Sequence, residues 1–150
     1  MARLRSKNIG AYSKPWRTRA DSLRLCGSGL FDDYPNLKII IGHMGEGIPY
    51  SLWRIDARMR FSPRGYTGKR YLGEYFLDNF YITTSGNFYQ PTFQCALSVV
   101  GVDRILFSVD YPFEDAKDAA SWFDGLQMAE SDKLKIARTN AIKLFKLDLK

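Results

Sequence analysis

At 150 residues, with 45% hydrophobic and 25% charged side chains, the chain is long enough for one domain with its own core and ordinary in composition for a globular protein. The net charge of +6 is local: residues 1–20 carry Arg3, Arg5, Lys7, Lys14, Arg17 and Arg19 and no acid, while basic and acidic groups balance in the rest. No run reaches the roughly 18 apolar residues of a membrane span, no secretory h-region opens the chain, and a neutral body offers no basic stripe to a nucleic acid.

Residues 1–20 read as a basic, irregular leader and residues 21–150 as the domain. An acid-free, arginine-rich start also fits a transit peptide, but Lys14-Pro15-Trp16 and a poor apolar face argue against it. A helix is expected over 21–31, with Leu23, Cys26 and Leu30 on one face. Tyr34-Pro35-Asn36 breaks it, and a strand follows over 38–41. Gly45 and Gly47 flank Glu46 in a tight turn before a helix over 49–58, whose Leu52, Ile55 and Met59 recur at helical spacing.

A further helix is expected over 69–77 and an aromatic, β-branched strand over 80–84. Pro91 opens a helix that Gly101 closes, and the third strand runs over 105–109. Two helices complete the chain. One covers 116–124; the other covers 132–145, with Ser131 as N-cap and Leu134, Ala137, Ala141 and Leu144 on its buried face. Strand and helix alternate three times, which is a parallel α/β layout with right-handed crossovers. The strands are short and apolar enough to be buried on both faces. Cys26 and Cys95, far apart and without metal-ligand spacing, read as reduced core thiols of a cytoplasmic protein.

Two strands end at ionisable groups. The only histidine, His43, follows the Ile39-Ile40-Ile41-Gly42 run, and Asp110 follows Phe107-Ser108-Val109. Residues just past the carboxyl ends of parallel strands face the ligand in α/β proteins, so these two are candidate catalytic groups. Glu46, three residues beyond His43, is a third, or else a solvated turn residue or a first-turn acid attracted to the helix macrodipole. A histidine after a strand is more often a hydrogen-bonded structural group, and an aspartate before Tyr111-Pro112 can serve only as a turn cap. Arg54 can pair with Asp56 or Asp21 at a surface. Thr83-Thr84-Ser85-Gly86 lacks the glycine spacing of a phosphate loop.

Six stretches together carry a family resemblance. They are Ser28-Gly29-Leu30-Phe31-Asp32-Asp33-Tyr34-Pro35, Ile40-Ile41-Gly42-His43-Met44-Gly45-Glu46, Leu52-Trp53-Arg54-Ile55-Asp56, Ile82-Thr83-Thr84-Ser85-Gly86, the run from Asp103 through Asp110-Tyr111-Pro112-Phe113-Glu114, and Asn140-Ala141. In this order and spacing the chain resembles the amidohydrolase-related, metal-dependent non-oxidative decarboxylases, close to those acting on dihydroxybenzoates. The resemblance implies the last three β/α units of a (β/α)₈ TIM barrel. It implies one divalent ion (Mn²⁺, Mg²⁺ or Zn²⁺), with Asp110 as the only family metal ligand present in this chain. It further implies a carboxy-lyase acting on a hydroxylated aromatic acid, with Asp110, His43 and Glu46 handling the proton, Arg54 neutralising the substrate carboxylate and Phe113 lying against the aromatic ring. A hydrolase of the same superfamily and an inactive fragment that only packs are the alternatives. The expected partners are a small aromatic carboxylic acid and either a second copy of the chain or a complementary N-terminal half; a nucleic acid and a membrane are not expected.

Overall fold

In the computed structural model, which describes residues 14–66 and 68–149, a three-stranded parallel sheet runs in the order β1-β2-β3. The strands are β1 (Ile39–Ile41), β2 (Phe80–Thr83) and β3 (Ile105–Leu106). Ile41 pairs with Ile82, and Ile82 in turn with Ile105, so one row of isoleucines crosses the sheet. Helices α1 (Lys14–Gly27) and α2 (Leu30–Asp33) precede β1. Helices α3 (Ile48–Phe61) and α4 (Leu72–Asn79) lie between β1 and β2, and α5 (Gln90–Val100) between β2 and β3. After β3 come α6 (Ala116–Asp124), α7 (Glu130–Leu134), a π-helical turn (Lys135–Thr139) and α8 (Asn140–Phe145).

The core gathers where helices cover the sheet. Ile82 and Ile105 are fully buried, and Phe80 stacks on Phe76 at 4.9 Å while meeting the edge of Phe31 at 5.6 Å. Asn79 and Asn140 are buried polar groups with their donors satisfied. Asn79 Nδ2 donates to the carbonyls of Pro35 and Leu37, and Asn140 Nδ2 to those of Val102 and Ile105. Both asparagines thereby hold the chain where it enters a strand.

Several expectations are corrected. The first helix starts at Lys14, so residues 14–20 are not irregular; residues 1–13 lie outside the described part. It also stops at Gly27, because Gly29 at φ +83° turns the chain before the short α2. The helix expected over 69–77 is Leu72–Asn79, its Tyr71 N–H accepted by Glu74 Oε2 at 2.8 Å. β1 is not buried on both faces. Ile40 is 43% exposed, since among the described residues nothing covers the side of this edge strand from which it projects.

The third strand ends at Leu106 rather than Val109 because its next donors turn elsewhere. Phe107 N–H donates to the Ile136 carbonyl in the π-helical turn, and Ser108 uses both backbone groups on the Thr84 side chain. The last helical stretch begins at Glu130 after Ala129, with no side-chain cap, so Ser131 is not its N-cap. Its buried residues are Ile136 and Asn140; Leu134 and Ala137 are exposed. The π-turn widens the helix by a residue and shifts the phase of the apolar stripe.

Candidate active site

The parallel sheet sends β1, β2 and β3 in one direction, so the segments after them meet at one end. After β1 the backbone makes a left-handed turn: His43, Met44, Gly45, Glu46 and Gly47 all have positive φ, between 51° and 76°. Three of these are not glycine, and each costs about 1–2 kcal/mol against its ordinary backbone. The turn persists because its surroundings hold it. Gly45 N–H donates to the Gly42 carbonyl at 2.8 Å, and Met44 is buried in the core. A side chain at Gly45 would stand 3.1 Å from Ile82 and Pro49.

This turn aims the imidazole at the end of β2. His43 N–H donates to Ser85 Oγ at 3.3 Å, and His43 Nδ1 lies 2.8 Å from the Ser85 carbonyl oxygen. A carbonyl can only accept, so the Nδ1 proton points there and Nε2 is left to face the cleft. Ser85 Oγ is itself 2.7 Å from Thr83 Oγ1.

Asp110 arrives from the far side. Its φ of +85° turns the chain after β3, and its carbonyl accepts the amides of Phe113 and Glu114. The two candidate groups converge on Gly86: a Cβ there would lie 2.9 Å from His43 Nδ1 and 3.2 Å from Asp110 Oδ2. Gly86 has φ +60° and donates its N–H to the Val109 carbonyl. Glycine is thus required twice over, by the backbone and by the close approach.

Glu46 Oε1 is 3.9 Å from His43 Nε2, an ion-pair distance and too long for a hydrogen bond. Burial raises the Glu46 carboxyl above its ordinary value, and the nearby imidazole pulls the other way. A carboxyl that holds its proton more tightly when folded stabilises the fold fully below its ordinary pKa. That contribution is lost as pH rises through the raised value. Glu46→Gln is therefore expected to melt higher than the parent at about pH 7.5 and to lose the advantage below about pH 4. Thermal melts across this range decide it; a variant that melts lower at pH 7.5 would mean that attraction to His43 outweighs desolvation.

A cleft of about 310 Å³ opens over His43 and Glu46, lined by Trp16, Arg19, His43, Glu46, Gly47 and Asn87. Asp110, behind Gly86, does not line it, and neither do Arg54 and Phe113. Arg54 is exposed on α3 and, among the described residues, pairs with neither Asp56 nor Asp21. Asp56 accepts Gly73 N–H instead, and Asp21 pairs with Arg24. Phe113 is 84% exposed and shares another cleft with Tyr111, Glu114 and Lys117. The sequence reading missed Trp16, Arg19, Ser85 and Asn87. For the first two a signal was present: 16, 19, 23 and 26 continue one helical stripe back into the basic segment.

Among the described residues no three His, Cys, Asp or Glu side chains gather closely enough to hold a metal ion. Asp110 can offer one oxygen, and the Nδ1 of His43 is already committed to Ser85. These residues alone do not fit a divalent ion. Nor, among them, is any helix long and apolar enough to cross a membrane.

Comparison with known proteins places this arrangement. The γ-resorcylate decarboxylase of Rhizobium sp. (strain MTP-10005) is 54% identical over 134 residues, 87% of this chain and 41% of that protein. The crystal structure of a dihydroxybenzoic acid decarboxylase from Polaromonas sp. JS666, with bound manganese and the inhibitor 2-nitroresorcinol, matches with a TM-score of 0.86 and 51% identity. That match covers 91% of this chain and 42% of the other. The 5-carboxyvanillate decarboxylase of Sphingomonas paucimobilis matches at 34% identity and a TM-score of 0.84, over 89% of this chain and 41% of its own. The chain thus spans about two-fifths of the length of these relatives and has the fold of the C-terminal part of their barrels. The family profile described as Amidohydrolase matches residues 13–147, from the helix that carries Trp16 to the end of the last one. A sheet with its imidazole and carboxylate at the strand ends, under a profile of that reach, has one lineage: the chain belongs to the amidohydrolase family.

Proposed function

We propose that this chain carries the C-terminal, proton-handling part of a non-oxidative decarboxylase for a hydroxylated aromatic acid. The observation that supports this most is the convergence of His43 and Asp110 on the bare Gly86 at the carboxyl end of the sheet. Decarboxylation without a redox cofactor begins with a proton delivered to the ring carbon that bears the carboxylate, forming a C–H bond. The bond to the carboxylate then breaks, its electron pair restores the aromatic ring, and carbon dioxide leaves. In this reading Asp110 gives the proton and His43, through the free Nε2 face, exchanges it with solvent. Glu46, 3.9 Å from that nitrogen, faces the same exchange path.

Relatives of this chain are crystallised with manganese. In the proposal Asp110 contributes one ligand to such a divalent ion (Mn²⁺, Mg²⁺ or Zn²⁺), and the other donors are not among the described residues. The outer edges of β1 and β3 are unpaired among those residues, and an apolar strand with an open edge recruits another. The chain is accordingly read as associating, with the complementary part of a barrel or with a second copy. Its two cysteines are free, Cys26 buried with its thiol pushed up to about 12, which suits a reducing cytoplasm.

The test is a graft. Residues 14–149 replace the matching stretch of the Rhizobium sp. γ-resorcylate decarboxylase, and the product is assayed with manganese on 2,6-dihydroxybenzoate. Carbon dioxide and the decarboxylated phenol, with no hydrolysed product, are expected. A graft that folds and takes up manganese yet makes neither would sink the reading; a hydrolysed product would assign the site to the hydrolases of the superfamily.

A further inference from the structure

The cleft over His43 has a cation in its wall that the proton chemistry does not use. Arg19 sits on α1, half-buried, three residues after Trp16, and its guanidinium lies 5.9 Å from the Trp16 ring. Its Nη1 is 4.0 Å from where a Cβ on Gly47 would be. Among the described residues it forms no ion pair; Glu46, in the same cleft, is paired only with His43. A guanidinium in a cleft wall that no protein anion pairs with is ready for one on a ligand.

Its place in the cleft decides which anion. Asp110 lies on the Gly86 side of the imidazole, and Arg19 lies by Gly47, in the wall of the cleft that His43 also lines. A ring seated with its departing carboxylate at Asp110 therefore turns another edge toward Arg19. A cation on the departing carboxylate would be stabilising a charge that vanishes as carbon dioxide leaves. One on a substituent that stays charged keeps its interaction through the transition state. Trp16 beside it offers a face for the ring.

Resting on the reading of this site as an aromatic-acid site, we propose that Arg19 is a specificity-determining residue that binds a second anionic substituent of the substrate ring, on an edge other than that of the carboxylate that is lost. Substrates with two carboxylates, or with a carboxylate and a distal ionised oxygen, are then favoured over simple hydroxybenzoates.

The test uses the full 150-residue chain and two probes, salicylate and 4-hydroxyisophthalate, which adds one carboxylate to the same ring. Binding is followed by calorimetry and by the His43 ring resonances. The added carboxylate is expected to tighten binding about tenfold, the scale of one charge-assisted contact in a half-exposed cleft. Arg19→Gln is expected to erase that gain while leaving salicylate within twofold, and Arg17→Gln, on the exposed side of the same helix, to preserve it. A gain that survives Arg19→Gln, or no gain in the parent while salicylate still moves the His43 resonances, overturns the proposal and leaves the site reading standing. If neither acid moves those resonances, the site reading falls and the proposal with it.

Discussion

His43→Asn, made in the grafted enzyme, is expected to cut carbon dioxide release by about 10²–10⁴-fold while shifting the melting temperature little. Asparagine is the informative replacement because of the backbone. His43 sits at φ +51°, a region that asparagine tolerates better than most residues. Its side-chain amide can donate to the Ser85 carbonyl as Nδ1 does, and the backbone donation to Ser85 Oγ is untouched. What disappears is the ring nitrogen Nε2, the group that would carry a proton in the proposed exchange. Initial rates and a melt on the same sample separate chemistry from folding. Activity within threefold of the parent would leave His43 a structural pin and nothing more.

Thr84→Val is expected to destabilise the chain by about 2–3 kcal/mol, a large loss for an isosteric change. Thr84 is fully buried, and its hydroxyl both accepts from Ser108 N–H at 2.9 Å and donates to the Ser108 carbonyl at 2.8 Å. Valine fills the same space and leaves both backbone groups without their partner. Those bonds stand in for the ladder that β3 does not form beyond Leu106, and the chain they tether runs straight to Asp110. Urea denaturation should show the loss in the midpoint with an unchanged slope, and Thr84→Ser should restore most of it. A shift below about 0.5 kcal/mol would mean that Ser108 is held by something other than this hydroxyl.

What the sequence disclosed and what it hid follow from where the hydrogen bonds go. His43 and Asp110 were legible because each follows an apolar run ending in a short polar segment, and the parallel layout carried them to the same end. β3 was read three residues too long because Phe107 and Val109 have strand-like side chains, whereas the backbone there bonds to a helical turn and to a threonine hydroxyl. No pattern of side-chain hydrophobicity encodes that choice. The final helix was placed correctly but its face was not, since one π-turn between Lys135 and Thr139 re-phases everything after it. Trp16 and Arg19 were passed over because the six unopposed positive charges of residues 1–20 resemble a solvated tail, and charge masked a continuing helical stripe.

The run of positive φ from His43 to Gly47 has a bearing on how substitutions in this region should be interpreted. Met44 and Gly45 are as firmly constrained as their neighbours, yet neither lines the cleft. A saturation screen scored on turnover alone would rank all five positions as equally intolerant and would promote two bystanders to the reaction. Sorting variants first by how much folded protein they yield, and only then by rate, would return Met44 and Gly45 to the scaffold and leave the imidazole and its carboxylate neighbour to stand for the chemistry.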